Sequence, residues 1–155
     1  MPDQDFNVDL RDMRFALFES IPFDELIKVP RFEDFDRESL ILMLDEAFKF
    51  HREQVAPIDA PGDRTGLRFE DGKVTMPEGF REAYRAICEN HYLAVGQDEE
   101  LGGMGLPYVV EIAAGEMQVG SCCSLSLALG LTNAAASCLN EFGSEHIKKT
   151  YLPKL

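Results

Sequence analysis

Tryptophan is absent from the 155 residues, and basic side chains are scarce: 15 Lys and Arg stand against 28 Asp and Glu, a formal charge of −13. Nucleic acid and anionic membrane surfaces attract clustered positive charge. The nearest approach to a cluster is Lys148, Lys149 and Lys154, which is too small for either partner. The acidic opening MPDQDFNVDL lacks the apolar stretch of a secretory leader. Cys88, Cys122, Cys123 and Cys138 therefore read as reduced, mostly buried thiols in a cytoplasmic protein. Zinc sites pair their ligands at C-x₂₋₄-C or H-x₃₋₅-H spacing. Here two cysteines are adjacent and His51, His91 and His146 are scattered, so no metal is expected. A hydrophobic content of 45% over this length supports a real core and excludes a disordered chain.

Charge is missing altogether from Gln118 to Asn140, whereas residues 1–100 hold 24 acids and 12 bases. A membrane span needs about 20 predominantly apolar residues. Gln118, Ser121, Ser124, Thr132, Asn133 and Asn140 interrupt this run, and no basic flank marks an inside end. The stretch predicts a central helix buried on most sides by other protein.

Apolar spacing places a first helix over Leu10–Ile21, N-capped by Asp9. Pro22 interrupts it, and Phe23–Val29 forms a short turn of helix before Pro30. A longer helix starts after Asp36, with Leu40, Leu44, Ala47, Phe48, His51 and Val55 at helical spacing, and Pro57 ends it. His51 has no acid or nucleophile at fixed spacing, so it reads as a partly buried histidine with a local hydrogen bond, not a catalytic one. Residues 56–66 are rich in turn formers and predict an exposed loop. Leu67–Thr75 predicts a hairpin around Asp71-Gly72. Pro77 opens a helix carrying Phe80, Tyr84, Ile87 and His91 on one face. After the glycine-rich loop 96–107, Pro107 opens another helix with Val110, Ala113, Ala114 and Met117 inward. The uncharged helix runs from about Ser121 to Phe142, Gly143 stops it, and Ser144 caps a short last helix. The fold class is all-α: about six helices with one small β-hairpin. The most apolar helix has only that last short helix to cover it, and the sequence stops at Leu152-Pro153-Lys154-Leu155, where a connection is expected. Such a layer reads as part of something larger.

Three segments carry a resemblance. Glu99-Glu100-Leu101-Gly102-Gly103-Met104-Gly105-Leu106 resembles the E-E-x-G-G-x-G-L loop of acyl-CoA dehydrogenases. Asn140 to Leu155 resembles the F-G-T/S-E-x-x-K-x-x-Y-L-P-x-L segment that closes their N-terminal helical domain. Asp9 to Glu19 is similar to the extra N-terminal stretch of a longer-chain subfamily. The resemblance divides the chain into an extension, residues 1–35, and the N-terminal helical domain, residues 36–155.

The family resemblance implies an FAD enzyme that oxidises the Cα–Cβ bond of an acyl-CoA thioester. Its glutamate base lies in a C-terminal helix bundle, and most flavin contacts lie in a β middle domain and that bundle. Both are expected beyond residue 155, so no catalytic residue is assigned here, Glu99 and Glu100 included. The resemblance implies that the helix before Phe142-Gly143-Ser144 lines the acyl cavity, which by register selects Leu127, Gly130, Leu131 and Ala134 as substrate-binding. An apolar tail needs an apolar wall, and small residues set its depth. The competing reading is ordinary helix packing. Where the family often has His-Asn, this chain has Leu131-Thr132-Asn133, a departure in polar pattern. Met104 is either a pocket wall or core filling. Gly102, Gly103 and Gly105 let the backbone approach a ligand or adopt positive φ, and are expected near the acyl-CoA or FAD. The loop is neither a Walker A motif nor a dinucleotide fingerprint. Expected partners are the acyl-CoA substrate, the middle and C-terminal domains, further copies in a homo-oligomer and an electron-transfer flavoprotein. The alternative is a non-catalytic helical module that binds an acyl group or a partner.

Overall fold

The computed structural model describes residues 6–155, apart from the side chain of Leu101. It is helical with a single two-stranded hairpin among the described residues, as the periodicity predicts. Helix α1 (Leu10–Phe18) starts at Asp9, whose carboxylate accepts from the amides of Arg11 and Asp12. It ends a turn earlier than expected, because Pro22 disfavours helical backbone at the residue before it. A short α2 (Phe23–Leu26) and a 3₁₀ turn (Pro30–Phe32) follow. Helix α3 (Arg37–Phe50) opens with a reciprocal capping box between Asp36 and Ser39.

The expected loop at 56–66 is instead helix α4 (Ala56–Thr65), and Pro57 does not end the helix before it. The chain passes from α3 into α4 through one π turn, His51–Val55. Pro57 then falls in the first turn of α4, where its missing N–H costs nothing. Gly62 supplies the packing: it is buried, and a Cβ there would lie on the Phe80 ring. Gly66, at φ 65°, closes α4 with an amide bond to the Gly62 carbonyl of 2.8 Å.

Strands β1 (Arg68–Glu70) and β2 (Lys73–Thr75) pair antiparallel, Phe69 opposite Val74, around Asp71-Gly72. Helix α5 (Phe80–Glu89) buries Phe80, Ala83 and Ile87. Tyr84 is more exposed than predicted, and His91 lies beyond the helix at φ 60°. Helices α6 (Tyr108–Ser121), α7 (Cys123–Phe142) and α8 (Glu145–Tyr151) complete the chain. On α6 the four residues expected inward, Val110, Ala113, Ala114 and Met117, are all buried.

Two clusters form the core. One joins α1, α2, α3 and α6 through Leu17, Phe23, Leu44 and Met117, and the other joins the π turn, α5 and α7 through Val55, Phe80, Ile87 and Leu129. His51 stands between them on the π turn.

Helix α7 departs from expectation. It buries only Leu125, Ser126 and Leu129 completely, leaving Leu127, Leu131 and Phe142 bare. The thiols follow: Cys122 is buried and Cys88 half-buried, but Cys123 and Cys138 are exposed, so the thiols are not mostly buried. Gly143 ends α7 with ordinary extended backbone; its need for glycine is spatial, since a Cβ would strike the Leu139 carbonyl. No helix among the described residues is long and apolar enough to cross a membrane.

Candidate functional site

A groove of about 190 Å³ runs between α6 and α7, walled by Leu93, Ile112, Val119, Leu129 and Gly130, with Glu111 and Asn133 along it. The helices leave this space because their facing positions, Gly115 and Gly130, carry no side chain. A Cβ on either glycine would meet nothing within 4 Å. Larger hollows of about 520 Å³ beside the hairpin and about 340 Å³ beside α1 are open and carry several charged side chains. The α6–α7 groove is lined mostly by apolar side chains and carries a single charged one, Glu111.

Polar residues at this groove form an oriented relay. Gln97 donates through Nε2 to Asn133 Oδ1 at 2.9 Å and to Ser137 Oγ at 2.6 Å. Asn133 Nδ2 donates in turn to Glu111 Oε1 at 2.9 Å. The Glu111 carboxylate packs directly over Gly96, where a Cβ would overlap it. Asp98 accepts from Asn140 and from Arg31, the latter at 2.7 Å. Through these bonds the glycine-rich loop is fastened to α7.

The loop is also closed on itself. Gly102 and Gly105 take positive φ, 83° and 66°. A Cβ on Gly103 would strike the Gln97 carbonyl. The amides of Gly103, Met104, Gly105 and Leu106 donate to the carbonyls of Asp98, Ala94, Gln97 and Val95, and the Gly102 amide to Glu99. His91 Nδ1 reaches the Gly102 carbonyl at 3.1 Å, so that nitrogen carries the proton.

Of the four α7 positions selected from sequence, the structure places Gly130 in the groove and turns Leu127, Leu131 and Ala134 to the bare outer face. Leu127 and Leu131 are 64% and 72% exposed. Met104 is partly buried against the α1–α3–α6 core. Leu93, Glu111, Leu129 and Asn133 belong to the groove and were not selected. Asn133 was visible only as a break in polar pattern, and nothing in the local sequence marks Leu93 or Glu111.

His51 is buried at the junction, its Nδ1 at 3.1 Å from Ser121 Oγ. The Ser121 hydroxyl donates to the Gln118 carbonyl at 2.9 Å. Ser121 can then only accept from His51, which is a neutral Nδ1–H tautomer. Burial holds its pKa down at about 4. Burial likewise raises the Cys122 thiol and the Tyr92 phenol above their usual values. These groups are neutral packing elements.

Comparison with known proteins agrees with the geometry. Residues 37–155 match the family model described as acyl-CoA dehydrogenase, N-terminal domain. The chain is 32% identical over 150 residues to 3-methylmercaptopropionyl-CoA dehydrogenase of Ruegeria pomeroyi, covering 97% of this chain and 26% of that protein. It is 28% identical over 159 aligned positions to a butyryl-CoA dehydrogenase of Syntrophomonas wolfei, covering all of this chain and 26% of the relative. A broad-specificity linear acyl-CoA dehydrogenase of Mycobacterium tuberculosis is 32% identical over 118 residues, 75% of this chain and 19% of its own length. The chain thus spans about a quarter of the length of these relatives. With a domain match over most of its residues and a helical architecture to go with it, the chain belongs to the acyl-CoA dehydrogenase family and represents its N-terminal domain.

Proposed function

We propose that this domain is the N-terminal part of an FAD-dependent acyl-CoA dehydrogenase, and that the α6–α7 groove holds the acyl tail of the thioester substrate. The observation that carries the reading is the groove itself: apolar walls, two facing glycines, and a polar relay alongside. Gly130 and Gly115 give the tail depth. Leu129 and Val119 exclude water from it. Leu127, Leu131 and Ala134 keep a different place in the proposal, on the apolar face of α7 that the remaining domains would cover. Met104 supports the wall from behind by filling core space. Within the proposed extension, residues 1–35, Met13, Leu17 and Phe18 seat helix α1 on the domain, whose core they share.

A bound FAD would supply a hydride acceptor for the acyl β-carbon, with α-proton removal left to a base. The glycine loop does not fit a flavin cradle made of amide donors, because the amides from Gly102 to Leu106 are already bonded within the chain. For Gly102, Gly103 and Gly105 the proposal is therefore close approach of backbone to ligand. Flavin contacts and the catalytic base fall to the rest of the enzyme. A homo-oligomer and an electron-transfer flavoprotein as acceptor belong to the same proposal.

The test is anaerobic flavin reduction by a series of acyl-CoA thioesters, using the full-length gene product and these 155 residues alone. Bleaching is expected with the full-length enzyme and not with the domain. Robust reduction by the domain alone would overturn the division of labour. A full-length protein inert to every acyl-CoA would favour a non-catalytic module.

A further inference from the structure

We propose that Asn133 and Leu93 form a partition that sets the length of acyl chain the enzyme accepts; this rests on the reading that the α6–α7 groove holds the acyl tail. On the far side of these two residues lies a second, smaller pocket of about 50 Å³, lined by Leu93, Gln97, Asn133, Ala136 and Leu152. Leu93 and Asn133 line both hollows. Leu93 and Asn133 therefore stand at the boundary that the groove shares with the space behind it.

Asn133 is held in place by more than packing. Its Oδ1 accepts from Gln97 at 2.9 Å and its Nδ2 donates to Glu111 at 2.9 Å, so both ends of the amide are engaged. Gln97 is itself fixed by its second donor bond, to Ser137 at 2.6 Å. The partition cannot swing aside without breaking the relay. An apolar tail that reached it would press methylenes against an engaged amide and the carboxylate behind it, leaving polar groups unpaired. The groove therefore ends at Asn133. The pocket behind is small, about a quarter of the groove's volume, and admits only a short extension of the tail.

The experiment uses the full-length enzyme and kcat/KM for saturated acyl-CoA thioesters from four to twelve carbons. Asn133→Ala joins the two hollows and is expected to move the preferred length up by a short step. On chains just beyond the wild-type cut-off it should gain about tenfold or more, since one methylene in an apolar pocket is worth at least about that much. Leu93→Ala opens the same partition from the other side and carries the test should the first variant fold poorly. Asn133→Leu keeps the bulk but loses the hydrogen bonds that hold the partition, and is expected to move the cut-off in the same direction as Asn133→Ala but by less. A profile unchanged in shape for both alanine variants would overturn the partition. Gly130→Leu separates the two levels of inference: it fills the groove from a position with open space around it. If it leaves every chain length within about twofold of wild type, the groove reading itself fails. If it depresses activity while the alanine variants do not lengthen the optimum, only the partition fails.

Discussion

His51 shows how a single residue can be read from sequence and still gain its consequence from the fold. Helical spacing placed it on an apolar face; it is fully buried there, and its hydrogen bond is not local but runs to Ser121, 70 positions along the chain. Its pKa falls from 6.5 to about 4 because burial penalises the charged ring. The unfolded chain therefore binds a proton that the native state refuses between those values. Stability from this residue is intact above pH 6.5, declines as pH falls towards 4, and the loss totals about 3 kcal/mol. In urea titrations across that range, His51→Gln should show a flatter pH dependence than wild type. An equal slope in the variant would assign the acid sensitivity elsewhere. Gly103 makes the opposite case: positive-φ glycines nearby suggested conformational freedom, yet Gly103 is required by crowding against the Gln97 carbonyl. Gly103→Ala should lower stability by about 1–3 kcal/mol, measured as a shift in the urea midpoint.

Among the elements, α6 was legible and α4 was not. Val110, Ala113, Ala114 and Met117 recur at helical spacing, and all are buried. In α4, Pro57, Pro61, Gly62 and Gly66 are local signals for a turn. What overrides them is long-range: the π turn at 51–55 resets the ladder ahead of Pro57, and Phe80 from α5 fills the space above Gly62. Neither is encoded within the ten residues of α4. Gly62→Ala should therefore destabilise by about 1–3 kcal/mol despite improving helix propensity, because its methyl group overlaps the Phe80 ring. Thermal melts of G62A alone and with Phe80→Leu test this: the second change should recover part of the loss. Helix α7 failed differently. Uncharged from Cys123 to Asn140, it offers no charged face to say which side turns inward.

The whole molecule exposes more surface than its mass requires. A compact monomer of 17.4 kDa presents about 7,900 Å², whereas this chain presents 10340 Å². Much of the bare area is apolar: Leu127, Leu131 and Phe142 on α7, and Leu67, Phe69, Val74 and Met76 on the hairpin. Bare apolar surface of this extent is what an interface would cover. Static light scattering of the isolated chain should show self-association that rises with concentration. A triple variant, Leu127→Ser with Leu131→Ser and Phe142→Ser, should reduce it markedly at equal concentration. Unchanged scattering would locate the sticky surface elsewhere, the hairpin being the next to substitute.

By itself the sequence determined the helical class, the hairpin at Asp71-Gly72 and the family. These depend on short-range spacing, turn chemistry and motifs, all of which are local. Only the tertiary structure decided which side of α7 is buried, that α4 is a helix, and that Leu93, Glu111 and Asn133 meet beside Gly130. Those outcomes depend on what lies across the gap: the α5–α6 connection supplies Leu93 and Gln97, α6 supplies Glu111, and α7 supplies Asn133. Residues 22 to 40 positions apart become neighbours only after the helices have packed.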